Sequence, residues 1–210
     1  MSEVRDTVRR PVDVEIEISR SRFLTRLERV ADEDSAREVI AAARAAHPKA
    51  RHHCSAFVLG YDGRTRRSND DGEPSGTAGA PMLDALVSAG LSDVVAVVTR
   101  YFGGVLLGAG GLTRAYRAAV AEAVAAAERL PRAVRLPVEV EAGYDLAPQL
   151  EAEARRLGIA LGEAGYGERV LLRLLPAEDQ LPALRAAVAE LSSGALEPVL
   201  GEPLVVDLPR

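Results

Sequence analysis

The sequence predicts an α+β protein of two domains. Three observations carry this: a strictly alternating N-terminal segment, a βαββαβ order of elements in the last third, and a proline-punctuated change of charge near residue 130. Val12, Val14, Ile16 and Ile18 alternate with Asp13, Glu15 and Glu17, the period of a strand with one buried face. A second strand follows at 23–30. Asp32 or Asp34 can cap a helix whose apolar face is Ala36, Val39, Ile40 and Ala43, and which ends before His47-Pro48. Residues 53–60 read as a strand. The polar stretch 61–80, rich in Gly, Ser, Asp and Pro, reads as a long loop. A helix over about 81–89 leads to the β-branched strand 94–99, and a further helix is predicted over 112–127.

Pro131 and Pro137 then punctuate the chain, which divides it into domains 1–130 and 131–210. Basic and acidic residues number 18 and 18 in the first part and 8 and 13 in the second, so the first is neutral and the second acidic. Downstream the pattern is strand 134–142, helix 147–157, strand 158–163, strand 169–175, helix 178–191 and strand 199–207, the order of a ferredoxin-like split βαβ unit. Its helices carry Leu150, Ala154 and Leu157, then Leu181, Leu184 and Val188, at spacings that bury one face against a sheet. No site is assigned there.

At 210 residues and 48% apolar content the chain has ample material for a core. It has no run of eighteen apolar residues, and residues 1–10 lack a secretory apolar segment, so a soluble cytoplasmic protein without a membrane partner is expected. Cys54 is the sole cysteine, which excludes an internal disulfide and a cysteine-based zinc site. The net charge of −5 argues against indiscriminate binding to duplex DNA.

The segment 97–117, VVTRYFGGVLLGAGGLTRAYR, is the strongest functional signal. Five glycines fall within nine residues on a predicted strand-to-helix turn: Gly103, Gly104, Gly108, Gly110 and Gly111. Glycine lets backbone approach a ligand closely, and the helix that follows adds partial positive charge, so an anion is the natural guest. Arg100, Arg114 and Arg117 flank the turn and can add charge-assisted hydrogen bonds. The structural alternative is a tight packing corner. Neither a dinucleotide loop nor a GxxxxGK[ST] loop is present, so no cofactor is expected. Tyr101 and Phe102 alternate across their strand, so at most one stacks on a base while the other packs inward.

The second signal is NDDGEPSGTAGAP at 69–81. Asp70, Asp71 and Glu73 precede Ser75 and Thr77, whose hydroxyls can cap the next helix, and Gly76 and Gly79 complete the loop. The carboxylates either hold a hard cation and orient arginines around a phosphate, or form turns and pair with Arg100 and Arg114. His52 and His53 enter a strand, so they point to opposite faces and cannot both face one site, with His53 the candidate general base and no metal site assigned. Cys54 reads as a small core residue.

ARHHCSA at 50–56, DDGEPSGTAGAPML at 70–83 and VVTRYFGGVLLGAGGLTRAY at 97–116 resemble the signature motifs of the YigZ/IMPACT family, and the last third resembles the small ferredoxin-like domain of bacterial YigZ-type members. The resemblance implies an N-terminal domain similar to the left-handed βαβ fold of ribosomal-protein and elongation-factor domains, and a second domain similar to those of elongation factor G. By that analogy the partners are RNA, the ribosome or translation factors. Eukaryotic members act through an additional N-terminal partner-binding domain; this chain begins at its first strand, and that regulation is not carried over.

Two main readings follow. In the first, Arg100, Tyr101, Phe102, Gly103, Gly104, Gly108, Gly110, Gly111 and Arg114 form a phosphate-binding face for RNA, supported by Ser75, Gly76, Thr77 and Gly79. In the second, an enzyme acts on a phosphorylated or nucleotide-like small molecule, with Asp70, Asp71 and Glu73 as metal ligands or general base and His53 assisting. A protein-interaction scaffold is a third, blander reading.

Overall fold

In the computed structural model, which describes residues 4–208, the alternating segment Val12–Ile18 is strand β2, preceded by the two-residue strand β1 (Thr7–Val8). The chain continues through β3 (Ser21–Arg29), α1 (Glu33–Ala46), β4 (His52–Leu59), β5 (Thr65–Asn69), α2 (Gly79–Ser88), β6 (Val94–Tyr101), α3 (Gly108–Ala126) and β7 (Arg129–Leu130). Five strands form one antiparallel sheet in the order β2-β3-β6-β4-β5, and β1 pairs with β7. Helices α1 and α2 each carry the chain across one intervening strand.

The sheet is packed on both faces, which is why β6 is an unbroken apolar run rather than an alternating one. Val94, Ala96 and Val98 join Phe23, Leu27, Met82, Leu86, Tyr116 and Val120 beneath α2 and α3. Val95 and Val97 face the other way, toward Val30, Ala36, Phe57 and Leu59 beside α1. The Asp32 side chain caps α1 by accepting from the Ser35 N–H at 2.8 Å.

Two expectations for this region are corrected. The predicted loop 61–80 contains β5, an exposed edge strand whose sequence Thr-Arg-Arg-Ser-Asn has no apolar alternation to reveal it; pairing with β4 alone makes it a strand. Helix α3 begins at Gly108, four residues before the predicted start, so three of the five glycines lie in its first turn. Glycine's poor helix propensity hid that turn.

By contact density the described chain forms two units, residues 4–132 with 207–208, and residues 133–206. The second contains most of β8 (Arg132–Arg135), then β9 (Val138–Ala142), α4 (Ala147–Arg156), β10 (Ala160–Leu161), β11 (Gly165–Tyr166), β12 (Val170–Leu175), α5 (Leu181–Leu191), β13 (Val199–Leu200) and most of β14 (Leu204–Asp207). Its sheet runs β10-β12-β9-β13, all antiparallel, with β11 also on β12. That is the split βαβ arrangement, with the first long strand central. Its core is Val138, Val140, Leu150, Leu172, Leu174, Leu184 and Val188 with their neighbours.

Proline and glycine shorten several predicted elements here. The strand expected over 134–142 breaks at Leu136-Pro137, and that over 199–207 breaks at Gly201-Glu202-Pro203, because proline cannot donate to a ladder. The helix expected from 178 opens as a 3₁₀ turn, Glu178–Gln180, and becomes α-helical at Leu181, where Pro182 fits the first turn. Gly158, at φ +71°, ends α4, and only Ala160–Leu161 of the strand expected over 158–163 pairs.

Candidate anion-binding site

Strand β6 delivers its last residues to opposite faces of the sheet. Arg100 is buried: its Nη1 donates to Glu73 Oε1 at 2.8 Å, and the Tyr116 hydroxyl donates to the same oxygen at 2.7 Å. The guanidinium lies over the rings of Phe23 and Phe102, 5.5 and 5.7 Å from their centroids. The structure thus places Arg100 inside the fold, paired with an acid, rather than on a ligand-binding face. Tyr101 is half-buried, its hydroxyl 3.1 Å from His47 Nδ1. Phe102 is 56% exposed.

The glycines divide by role. A Cβ on Gly103 would overlap the Arg20 carbonyl, and its N–H donates to Ser21 Oγ at 3.2 Å, so Gly103 serves the packing corner. Gly79 likewise lies against the Asn69 backbone. Gly104 (φ +86°) and Gly108 (φ +66°) adopt the left-handed conformation with open space around them. Helix α3 then starts with no side-chain cap and no acidic residue in its first turn. The N–H groups of 108–110 have no intrahelical acceptors, and they sit at the positive end of a nineteen-residue helix.

Only some of the flanking cations are free. Arg117 donates to Asp84 at 2.9 Å. Arg114 is exposed and has no ion-pair partner among the described residues; its Nη1 lies 3.5 Å from where a Cβ on Gly110 would stand, over the first turn. Sequence reasoning missed Arg20. It occupies, with Ser19, the two-residue turn between β2 and β3, both at positive φ, and its backbone abuts Gly103. Arg20 is exposed and also lacks an ion-pair partner among the described residues. A Ser-Arg pair is not a turn signature that a reader of sequence would stop at; the only signal is the short gap between the two expected strands, residues 19–22, which the structure narrows to 19–20.

The acid-rich loop does not gather its carboxylates. Asp70 accepts from the N–H groups of Gly76 (2.8 Å), Ala78 (3.0 Å) and Gly79 (2.8 Å), so it caps α2, the role expected of Ser75 or Thr77. Thr77 donates instead to the Pro74 carbonyl at 2.6 Å, and Ser75 is exposed. Burial acts to raise the Asp70 carboxyl, but these N–H donors outweigh it and hold the group below its ordinary range. Asp71, at φ +44°, accepts from Arg44 at 2.5 Å and from the His53 N–H at 2.6 Å; despite burial these partners also hold it low. Glu73 faces Arg100 and Tyr116. Among the described residues no cluster of three or more His, Cys, Asp or Glu is placed to hold a metal. The three acids therefore do not converge as the enzyme reading expects: each meets a different partner, the N-terminus of α2, the His53 N–H with Arg44, and Arg100 with Tyr116.

The histidines correct a second expectation. They point to opposite faces of β4, yet both reach Asp71: His52 Nδ1 lies 2.9 Å from its carbonyl oxygen, and His53 Nδ1 lies 3.8 Å from its carboxylate. The loop wraps around the strand end, which strand alternation alone does not reveal. His53 is buried, and desolvation pushes its pKa below the usual value. Cys54 donates to the Asp70 carbonyl at 3.0 Å and is pushed up to about 12 by burial, so it is no nucleophile.

A cavity of about 750 Å³ lies away from this site, between α1 and strands β2, β3 and β6. It is lined by Leu24, Arg26, Val39, Ala43, His47 and Val97 among others, and by none of the predicted site residues. No helix among the described residues is long and apolar enough to cross a membrane.

Comparison with known proteins matches residues 19–124 to the model of the Impact N-terminal domain and residues 140–195 to a domain of unknown function, DUF1949. The chain is 40% identical over 196 residues to the IMPACT family member YvyE of Bacillus subtilis, spanning 93% of this chain and 90% of that protein. It is 36% identical to the IMPACT family member YigZ of Escherichia coli, over 89% of this chain and 93% of that one. A crystal structure described as that of a hypothetical protein is similar over 96% of this chain and 99% of its own, with 34% identity and a TM-score of 0.66.

Proposed function

This chain belongs to the IMPACT family, and from that premise we propose that it is an RNA-binding protein of the translation apparatus, acting in the cytoplasm, that holds the phosphate backbone at the start of α3. The observation that carries the reading is the N-terminus of α3. It is uncapped, free of acidic residues, and overlain by Arg114, a cation with no ion-pair partner among the described residues. Backbone N–H groups at a helix N-terminus and an unpaired guanidinium are both donors that phosphate oxygens take. Arg20 supplies a second free positive charge at the same corner. Arg100 and Glu73 are not ligands in this reading; they hold the floor of the turn.

The test is RNA binding followed by fluorescence anisotropy across a salt series. Arg114→Ala is expected to weaken binding and to lower the slope of log K against log salt by about 1, the loss of one phosphate contact. Gly110→Asp places a negative charge at the third position of the helix, where only the far end of the Arg114 side chain is near, so the fold is expected to be retained while the anion is repelled. Unchanged affinity and slope in both variants would reject the site.

A further inference from the structure

Resting on the RNA-binding reading above, we propose that the nucleic acid is engaged as a single strand, with an unpaired base stacked on the ring of Phe102. This ring is the outermost member of a stack that starts in the core. Tyr116 packs edge-on against Phe23, with ring centroids 5.3 Å apart and planes at 88°. The Arg100 guanidinium lies over Phe23 and also over Phe102. Glu73 accepts from Arg100 and Tyr116 through one oxygen, which ties the series together at its buried end. The two Nη atoms of Arg100 donate to Glu73 and Ser21, while its Nε is buried without a hydrogen-bond partner among the described residues, between the two rings.

Phe102 is therefore a large aromatic held in place from beneath yet 56% exposed. A preordered aromatic face takes a planar ligand with little loss of side-chain freedom. Leu106, 88% exposed, and Val105, 41% exposed, extend the apolar surface along the same turn. The bases of a duplex are already stacked and have no free faces; an unpaired base has two. A protein partner could also cover an apolar tip, but the free cations Arg20 and Arg114 and the uncapped helix beside it favour an anionic strand.

The experiment compares a labelled single-stranded RNA of about 12 nucleotides with the same sequence as a duplex, by anisotropy at fixed salt, for the whole chain. The wild type is expected to prefer the single strand. Phe102→Ala should weaken single-strand binding by about 5- to 150-fold, the range for loss of one stacked base. Phe102→Tyr should keep it, and duplex binding should not move. Equal affinity for both RNAs with no effect of Phe102→Ala, while Arg114→Ala still weakens binding, would overturn the stacking proposal and leave the phosphate reading standing. Failure of the wild type to bind either RNA would overturn both. If Phe102→Ala leaves RNA binding intact but disperses a self-associated species in sedimentation, the tip is a protein contact and the proposal falls.

Discussion

Strand β6 in the first unit and strand β12 in the second are both central, yet they end differently. Val170, Leu172 and Leu174 of β12 go into a wholly apolar core, with Leu171 and Arg173 left in solvent. Strand β6 instead buries Thr99 and Arg100 at its end. The contrast extends to the whole of each unit. Every buried polar or charged side chain among the described residues, including Ser21, His53, Glu73, Thr77 and Arg100, lies in the first unit. A buried charge costs several kcal/mol unless it is paired, so Arg100 and Glu73 depend on each other in a way that no residue of the second core does. The second unit shows what this chain builds when packing alone decides. The first buries Arg100, Glu73 and Ser21 beneath the turn that starts at Gly103.

The largest expected effect would break that contrast directly. Glu73→Ala strands Arg100 in the core without its acid, and should cost about 3–5 kcal/mol in urea unfolding, with amides of β4 and β6 losing hydrogen-exchange protection. A loss under 1 kcal/mol would mean that Arg100 finds water or another partner. Leu172→Ala is the matching probe of the apolar core. It should cost about 2–5 kcal/mol, with the loss of protection seen at β9 and β12 and no pH dependence.

Next comes the α2 cap. Asp70→Asn should cost about 1–2 kcal/mol near neutral pH, since an amide oxygen replaces a carboxylate that accepts three N–H bonds. Because the folded carboxyl lies below its ordinary value of 3.8, its contribution is complete above about that pH and is lost as the pH falls through the folded value. The variant should therefore flatten the acid limb of the stability curve. His53 has the same sign at higher pH: its folded pKa lies below 6.5, so acidification below that value favours the unfolded chain, which takes up the proton more readily. His53→Gln should reduce the slope in that range.

The smallest effect belongs to the second unit's surface. Arg156 and Glu153 pair at 2.5 Å on α4, both side chains reaching solvent, and Arg156→Ala should change stability by less than about 1 kcal/mol in the same unfolding assay. A larger loss would show that the surface of the second unit carries more than solubility.

Much of this organisation was legible in the sequence. Alternation located β2 and placed Val14, Ile16 and Ile18 against the core; the apolar run located β6; and the βαββαβ order described the second unit, because these patterns are set by backbone periodicity and need no partner to be read. The glycine-rich turn and the acid-rich loop were also visible as unusual segments. Three features depended on tertiary contact instead. Strand β5 exists only through pairing with β4, since its own side chains are polar and exposed. Asp70, Asp71 and Glu73 are adjacent in sequence but face a helix N-terminus, a histidine backbone and a buried arginine, because the loop turns between them through Asp71 and Gly72 at positive φ. Arg20 reaches the corner of Gly103 across some eighty residues of chain. Local periodicity determines most of the strands and helices, β5 excepted. Which charges are neutralised, and which remain free to meet a ligand, is decided by long-range packing, since an ion pair depends on distance in space and a sequence records only distance along the chain.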